Sequence, residues 1–431
     1  MKILDTSLSA VAEPLIRPFG FKGGYLSELW QTVAWVKGKE HTAIGVGVQS
    51  VLWADEGVFR AMSEEEGNRA MLRTAEFALS LLRGREFATP AEGTFSVFGE
   101  VYDYAKRITG REDLRPTFVL NALVSVDNAL WQLYAKERGE EDLYRLVEEE
   151  TAKNLSHRQE KLYAIPLIGY KTTAEEIRRE AERGSFLMKI KIGADPSGNG
   201  DRDEMLAHDK KRLCEIHRIA KDLTTPYTDS GRYLYYLDAN GRYDTRDRLF
   251  RLLDYADRIG ALERILILEE PFSEENGTPV FDIPLLVAAD ESAYSPETTR
   301  RRIEEGYRAL TLKPIAKTVS ETLLTLNEAK RMGVHCFCAD LTVNPYMVDI
   351  NKNVAARIAP FPGVKIGIFE SNGAQNYKNW EKMKTYHPLW GTKDLSDPED
   401  GIFPLCDDFY KTGGGIYRAS AYYEEIVRKK T

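Results

Sequence analysis

Lys189 and Lys191 stand two apart in the run Phe186-Leu187-Met188-Lys189-Ile190-Lys191-Ile192-Gly193. On a β-strand, positions two apart face the same side, so both ammonium groups project together while Leu187, Met188, Ile190 and Ile192 supply packing. Like charges side by side each make the other easier to deprotonate. A lysine so placed is a candidate general base near neutral pH. A lysine pair also suits an exposed edge strand guarded against aggregation, and the pair alone leaves both readings open. The chain downstream favours chemistry. Three short apolar runs end in acids: 234–237 leads into Asp238-Ala239-Asn240, 265–268 into Glu269-Glu270-Pro271, and 286–289 into Asp290-Glu291-Ser292. A fourth, 309–312, ends in Lys313-Pro314. Asp238, Glu269, Asp290 and Lys313 follow one another at intervals of roughly 20 to 30 residues, one strand–helix unit each. If successive strands are neighbours, the three carboxylates converge, and converging carboxylates do not all stay ionised without a cation. An all-oxygen set favours Mg²⁺ before Mn²⁺. No His or Cys joins it, which disfavours zinc. Each acid taken singly also reads as a helix cap or a turn residue; the ordered set is what points to a site.

Such a set needs a scaffold. Apolar strand candidates recur at 163–168, 186–192, 233–237, 265–268, 286–289, 309–312, 335–339 and 364–369, with amphipathic stretches at 174–183, 204–221, 245–259, 296–305 and 320–332. This rhythm predicts an α/β fold, a closed (β/α)8 barrel of TIM type, in which chemistry sits at the C-terminal strand ends. An open doubly wound sheet is the alternative, and the lack of a Gly-rich phosphate fingerprint counts against it. Before the barrel, alternating segments at 32–36 and 43–48 predict a small antiparallel meander. The segment 18–25, with three glycines, aromatics and Lys22, is expected to be a mobile loop that closes the barrel mouth. From about 57 to 150 the period is helical, and 120–134 reads as a buried helix in which Asp127 and Asn128 take packing or capping roles. The expected division is an N-terminal α+β domain over 1–155, the barrel over 156–375, and a segment over 376–431 that folds back on the first domain.

Composition excludes several functions. The chain has 431 residues, 43% of them hydrophobic and 29% charged, and a net charge of −8. No basic stripe is available to neutralise phosphates, so nucleic acid is not an expected partner. No apolar run approaches the ~20 residues of a membrane span, and the N-terminus lacks a signal-peptide pattern. Cys214, Cys336, Cys338 and Cys406 lack zinc-type spacing and read as reduced thiols of a cytoplasmic protein. A small-molecule carboxylate partner and a homo-oligomeric state are expected, with no membrane partner.

The ordered set Lys-x-Lys, Asp-x-Asn, Glu-Glu-Pro, Asp-Glu-Ser and Lys resembles the enolase superfamily, and within it the muconate lactonizing enzyme-like subgroup of the mandelate racemase/muconate lactonizing enzyme family. The resemblance covers nearly the whole chain; it makes the first domain a capping domain and 121–139 the last long helix before the barrel. It implies Asp238, Glu269 and Asp290 as ligands of Mg²⁺, with Mn²⁺ possible, Lys191 and Lys313 as opposed acid/bases, and Lys189 beside the substrate carboxylate. It places Asn240, Glu270 and Glu291 behind the ligands. Phe19, Phe21, Lys22, Tyr25, Asp340 and Glu370 are the expected substrate contacts. The mandelate-type members are less similar, because His335 falls at the start of strand seven. The implied activity is abstraction of the α-proton of a carboxylate through an enediolate, in a racemase, epimerase or cycloisomerase. A β-eliminating dehydratase such as one for acid sugars is the alternative; a Schiff-base aldolase and a non-catalytic barrel are the rival classes. Three departures bear on the substrate. Phe369-Glu370-Ser371-Asn372 replaces the Asp-x-Asp of dipeptide epimerases, Lys317-Thr318-Val319 replaces a glycine pair, and the 194–203 loop is longer and more polar than usual.

Overall fold

A computed structural model describes residues 1–21, 24–392 and 398–428. Its N-terminal sheet has the order β1 (Asp5–Phe21), β2 (Gly24–Lys37), β3 (Thr42–Gln49), antiparallel throughout. The expected mobile loop over 18–25 is instead the outer end of the β1–β2 ribbon, with Phe19 opposite Leu26, Gly20 opposite Tyr25 and Phe21 opposite Gly24. The register slips between Pro14 and Phe19, where Pro14 and Pro18 lack the N–H a regular ladder needs. Gly24 packs tightly: a Cβ there would come within 2.9 Å of the Leu52 and Phe59 side chains, which would have to shift. Lys22 lies outside the described residues, as does the Phe21 side chain.

Helices Glu64–Leu82, Pro90–Thr109, Pro116–Ala122 and Val124–Arg138 follow. Their ends are written in sequence. Ser63 and Glu66 form a capping box, Thr89 caps ahead of Pro90, and Gly110 and Gly139 close helices in the left-handed conformation. The single helix expected over 120–134 is broken at Leu123, and its second part is buried from Val124 to Ala135. It lies on β3 so closely that a Cβ at Gly45 would sit 2.0 Å from the Ser125 carbonyl. β3 is the sheet edge, and side-chain amides satisfy it. Asn121 and Asn128 donate to the carbonyls of Val48 and Val46 at 2.9 and 2.8 Å, and Gln132 accepts from the Ile44 N–H at 2.9 Å. The polar residues of an otherwise apolar helix thus pair a buried edge.

The second sheet is the barrel. Strand one is split by Pro166 into β4 (Lys161–Ile165) and β5 (Leu167–Ile168). The following strands are β6 (Leu187–Lys191), β7 (Leu234–Asp238), β8 (Ile265–Glu269), β9 (Leu286–Ala289), β10 (Ala309–Leu312), β11 (His335–Cys338) and β12 (Gly367–Glu370). The ladder runs from β5 through β6 to β12 in sequence and ends on β4. The two ends of the sheet are therefore one stretch of chain, joined at a proline that cannot donate, and the ring of parallel strands closes. A short strand, β13 (Ile402–Pro404), adds antiparallel to β4, and helix Ala421–Arg428 packs on the N-terminal sheet. The strand interior follows the period of two. Leu187, Leu234, Tyr236, Ile267, Ala288, Ala309, Phe337 and Ile368 fill the barrel, while Met188 and Ile190 face the surrounding helices. Leu187 therefore shares the lysine face and does not pack outward. The helix Pro345–Ala355, which the amphipathic stretches read from sequence do not include, is buried along its whole length. Among the described residues, no helix is long and apolar enough to cross a membrane.

Candidate active site

Lys189 and Lys191 lie on β6, flanked by β5 and β7, and are only 2% and 8% exposed. The edge-strand reading is thereby excluded. In register, Lys191 stands beside Asp238, and Asp238 beside Glu269, so the three form one row across β6, β7 and β8. Asp290 follows β9 and Lys313 follows β10. β6 and β10 are strands two and six of an eight-stranded ring, so their lysines approach from opposite sides.

The lysines are inserted among the acids. Lys189 Nζ lies 2.8 Å from both Asp238 Oδ2 and Glu269 Oε2, and 3.0 Å from Glu370 Oε2. Lys191 Nζ lies 2.6 Å from Asp238 Oδ2 and donates to Asn240 Oδ1 at 2.6 Å. Lys313 pairs with Asp290 Oδ2 and sits 4.8 Å over the Trp53 ring. The Tyr236 hydroxyl bonds Glu269 Oε2. Behind these, Glu270 accepts from the Asp290 N–H at 2.7 Å, and Glu291 accepts from Asn240 Nδ2 at 3.1 Å. All these acids and lysines are buried.

Charge decides the protonation states. Burial works against the charged form of Lys189, yet Asp238, Glu269 and Glu370 outweigh it and hold its proton well above the usual lysine range. The lysine–lysine repulsion expected from sequence is thus overruled at Lys189 by three acids. Burial is likewise overcome at Lys313, chiefly by Asp290. Burial opposes ionisation of Asp238 too, but Lys189 and Lys191 bring it down to about 2. Glu269 goes the other way: burial and the charge on Asp238 raise it well above the carboxylate range. Glu270 is pushed up to about 7 by burial and by Glu291.

This imbalance bears on cation binding. The acids Asp238, Glu269, Glu270, Asp290, Glu291, Asp340 and Glu370 outnumber the lysines of the same region. Glu269 Oε1 is buried without a hydrogen-bond partner. The donors are all oxygens, the type a hard divalent cation takes. Among the described residues, no three His, Cys, Asp or Glu side chains close on one point that a metal ion could take. The reason is visible: the Lys189 ammonium stands between Asp238 and Glu269, and Lys313 holds Asp290. The donor set therefore fits Mg²⁺ or Mn²⁺ in chemistry, and a bound cation would share Asp238 and Glu269 with an ammonium already there.

The polar floor faces a small cavity of about 40 Å³ beneath the N-terminal domain. Its lining includes Phe19, Leu26, Leu29 and Trp53 from that domain, with Leu167 and Leu341 from the barrel. Phe19 thus lies in the cavity wall, whereas Tyr25 is 47% exposed in an outer cleft, where Lys171 lies 4.5 Å over its ring. Asp340 and Glu370 line the cavity, but their oxygens are engaged. Asp340 accepts from the N–H groups of Leu341 at 2.8 Å and Asn372 at 2.7 Å, and Glu370 is held by Lys189. His335 is exposed at the opposite, N-terminal end of its strand. Trp53, Leu26 and Leu29 carry no signal in sequence that separates them from core residues. Lys317, which reaches Asp290, does: it stands where the glycine pair was expected.

Backbone strain gathers at the same mouth. Among the described residues, four of the five non-glycine residues with positive φ, Asn240, Glu270, Thr318 and Thr342, directly follow β7, β8, β10 and β11 or the turns leaving them. Such conformations cost of order 1–3 kcal/mol each and persist where surrounding contacts dictate them.

No protein-family model and no curated protein matches the chain. Solved structures do. A mandelate racemase/muconate lactonizing protein from Herpetosiphon aurantiacus is similar over 94% of this chain and 96% of its own, with a TM-score of 0.65 at 17% identity. An N-succinyl Arg/Lys racemase from Bacillus cereus is similar over 95% and 97%, with a TM-score of 0.64 at 16% identity. A dipeptide epimerase from Enterococcus faecalis, complexed with Mg and a dipeptide, is similar over 88% and 92%, with a TM-score of 0.63 at 14% identity. The chain has the fold of these mandelate racemase/muconate lactonizing-type proteins, a barrel under an α+β capping domain.

Proposed function

We propose that this protein is a divalent-cation-dependent racemase or epimerase that takes the proton from the carbon next to a carboxylate and returns it from the other face. One observation carries the reading: Lys191 and Lys313 approach a single buried cavity from opposite sides of the barrel, each against a carboxylate of the set Asp238, Glu269 and Asp290. The racemase and epimerase activities named for similar folds, one of them holding Mg, support it. Asp238, Glu269 and Asp290 would hold the cation. When bound, it would stabilise the charge that develops on the substrate carboxylate as the α-proton leaves. Lys189, charged and buried, adds positive charge on the same floor. Lys313 keeps its proton as long as Asp290 faces it with full charge; an Asp290 whose charge is shared releases Lys313 to act as a base. The apolar wall of Phe19, Leu26, Leu29 and Trp53 excludes water from the reacting carbon.

Incubation of paired carboxylate enantiomers in D₂O with Mg²⁺ tests this. Deuterium should enter at the α-carbon with inversion, and a chelator should stop it. Exchange that survives chelation, or a substrate trapped by borohydride on a lysine, would overturn the reading. Loss of a β-substituent without inversion would make the enzyme a lyase sharing the same first step.

A further inference from the structure

Lys317 is a fourth buried lysine at the barrel mouth, 2% exposed, and the chemistry above leaves it without a task. Its Nζ donates to the carbonyls of Asp290 at 2.6 Å and Ala293 at 3.0 Å, lies 3.5 Å from that of Thr311, and pairs with Asp290 Oδ1 at 3.1 Å. One ammonium therefore ties the turn after β9 to β10. The local chain is bent to deliver it. The N–H groups of Ala316 and Lys317 both bond the Lys313 carbonyl, at 3.0 and 2.8 Å, which turns Lys317 back over the strand end. The exit is Thr318 at φ 69°, ψ 155°, a region that residues with a Cβ rarely enter. This β-branched residue is held on its far side. Thr318 Oγ1 accepts from the Glu321 N–H at 3.1 Å, and Asp127 of the N-terminal domain accepts from the Ser320 N–H at 3.1 Å. Glycine would make the same exit without strain. A threonine held there at a cost marks the placement of Lys317 as over-determined by its surroundings.

We propose that Lys317 is a positioning residue, whose ammonium locks the 290–293 turn against strand six and so fixes the Asp290 carboxylate, with Oδ2 on Lys313 and Oδ1 3.1 Å from the Lys317 ammonium. The inference rests on the cation-dependent reading, since Asp290 is the third oxygen ligand of that proposal. It has a signed alternative. An ammonium that merely neutralises Asp290 competes with a divalent cation, so removing it tightens cation binding. An ammonium that positions Asp290 supports the cation, so removing it weakens binding.

The test titrates Mg²⁺ into the full chain by calorimetry, for wild type, K317M, D290N and the double variant, with Tm recorded for each. K317M should weaken Mg²⁺ by about 10- to 100-fold, the usual effect of losing a group that orients a metal ligand. It should lower kcat for α-proton exchange with KM for the carboxylate nearly unchanged. In the D290N background K317M should have no further effect on Mg²⁺, because the two act through one carboxylate. A folded K317M that binds Mg²⁺ as tightly as wild type or more tightly, or whose effect adds to that of D290N, overturns the proposal. If K317M does not fold, K317Q, whose shorter neutral side chain cannot bridge the carbonyls of Asp290, Ala293 and Thr311 together, takes its place in the cycle: weaker Mg²⁺ binding supports the proposal, and unchanged or tighter binding overturns it. Wild-type Mg²⁺ affinity untouched by D290N would instead overturn the cation reading itself, and this inference with it.

Discussion

Lys191 and Lys313 pair with different carboxylates, Asp238 and Asp290, and share one cavity. In a two-base racemase each lysine serves one enantiomer. K191A should lower α-proton exchange from one enantiomer by about 10²- to 10⁴-fold, the span of general acid–base catalysis, and K313A from the other. Mg²⁺ affinity should persist in both. Equal loss from both enantiomers in either variant would point to a one-base reaction. Glu269 makes a second prediction. Burial and the charge on Asp238 push its carboxyl toward the neutral form, so a divalent cation must displace its proton. Mg²⁺ binding should therefore release protons, seen as a dependence of the calorimetric heat on buffer ionisation, and E269Q should abolish the release.

At the level of elements, the β1–β2 ribbon places Phe19 in the cavity wall while Tyr25 remains outside it. Phe19 is only half-buried and its truncation leaves the main core intact. F19A should lower kcat/KM by about tenfold, equivalent to about 1.4 kcal/mol of transition-state stabilisation, while moving Tm by only about 2 °C. A large fall in Tm with unchanged kinetics would make the ribbon structural. The turn after β10 predicts the opposite balance. T318G removes the strain at φ 69° and costs the helix cap only a few tenths of a kcal/mol, so it should raise stability by roughly 1 kcal/mol in denaturant unfolding. A fall in stability would show that the threonine is at ease there.

Across the whole molecule, the capping domain is fastened to the barrel by buried acids. Asp127 accepts from Thr94 Oγ1 at 2.7 Å, from Ser320 Oγ at 2.5 Å and from the Ser320 N–H, and Trp131 Nε1 donates to Ser320 Oγ at 3.0 Å. Glu321 lies beside this knot and is pushed up to about 8, first by burial and then by Asp127, with Lys317 opposing. The sign follows from linkage. An acid whose folded value is raised binds its proton more tightly when folded, so its contribution is complete below the unfolded value near 4.5 and is lost as pH rises toward 8. Unfolding free energy should fall by a few kcal/mol, in order of magnitude, between pH 5 and pH 9. E321Q should flatten that slope. A slope identical in E321Q and wild type would remove Glu321 as its source.

The strand ends were legible because two periods coincide in them. Alternation along each strand puts Lys189, Lys191, Asp238 and Glu269 on the inner face, and the strand–helix repeat brings successive ends together, so their order alone implied one site and one barrel. Capping residues such as Ser63 with Glu66 act within a turn, and they too could be read locally. Other features depend on contacts that no local pattern encodes. Pairing of residues 19–21 with 24–26 turned an expected loop into a ribbon. In the helix Pro345–Ala355 even the polar residues Asp349, Asn351, Lys352 and Asn353 are buried. Lys189 keeps its proton against the repulsion expected from Lys191 because three carboxylates from β7, β8 and β12 meet one ammonium. Neighbours in sequence set the face a side chain takes; only the closed barrel sets the charge it meets there, because Coulomb energy depends on distance and burial and not on order along the chain.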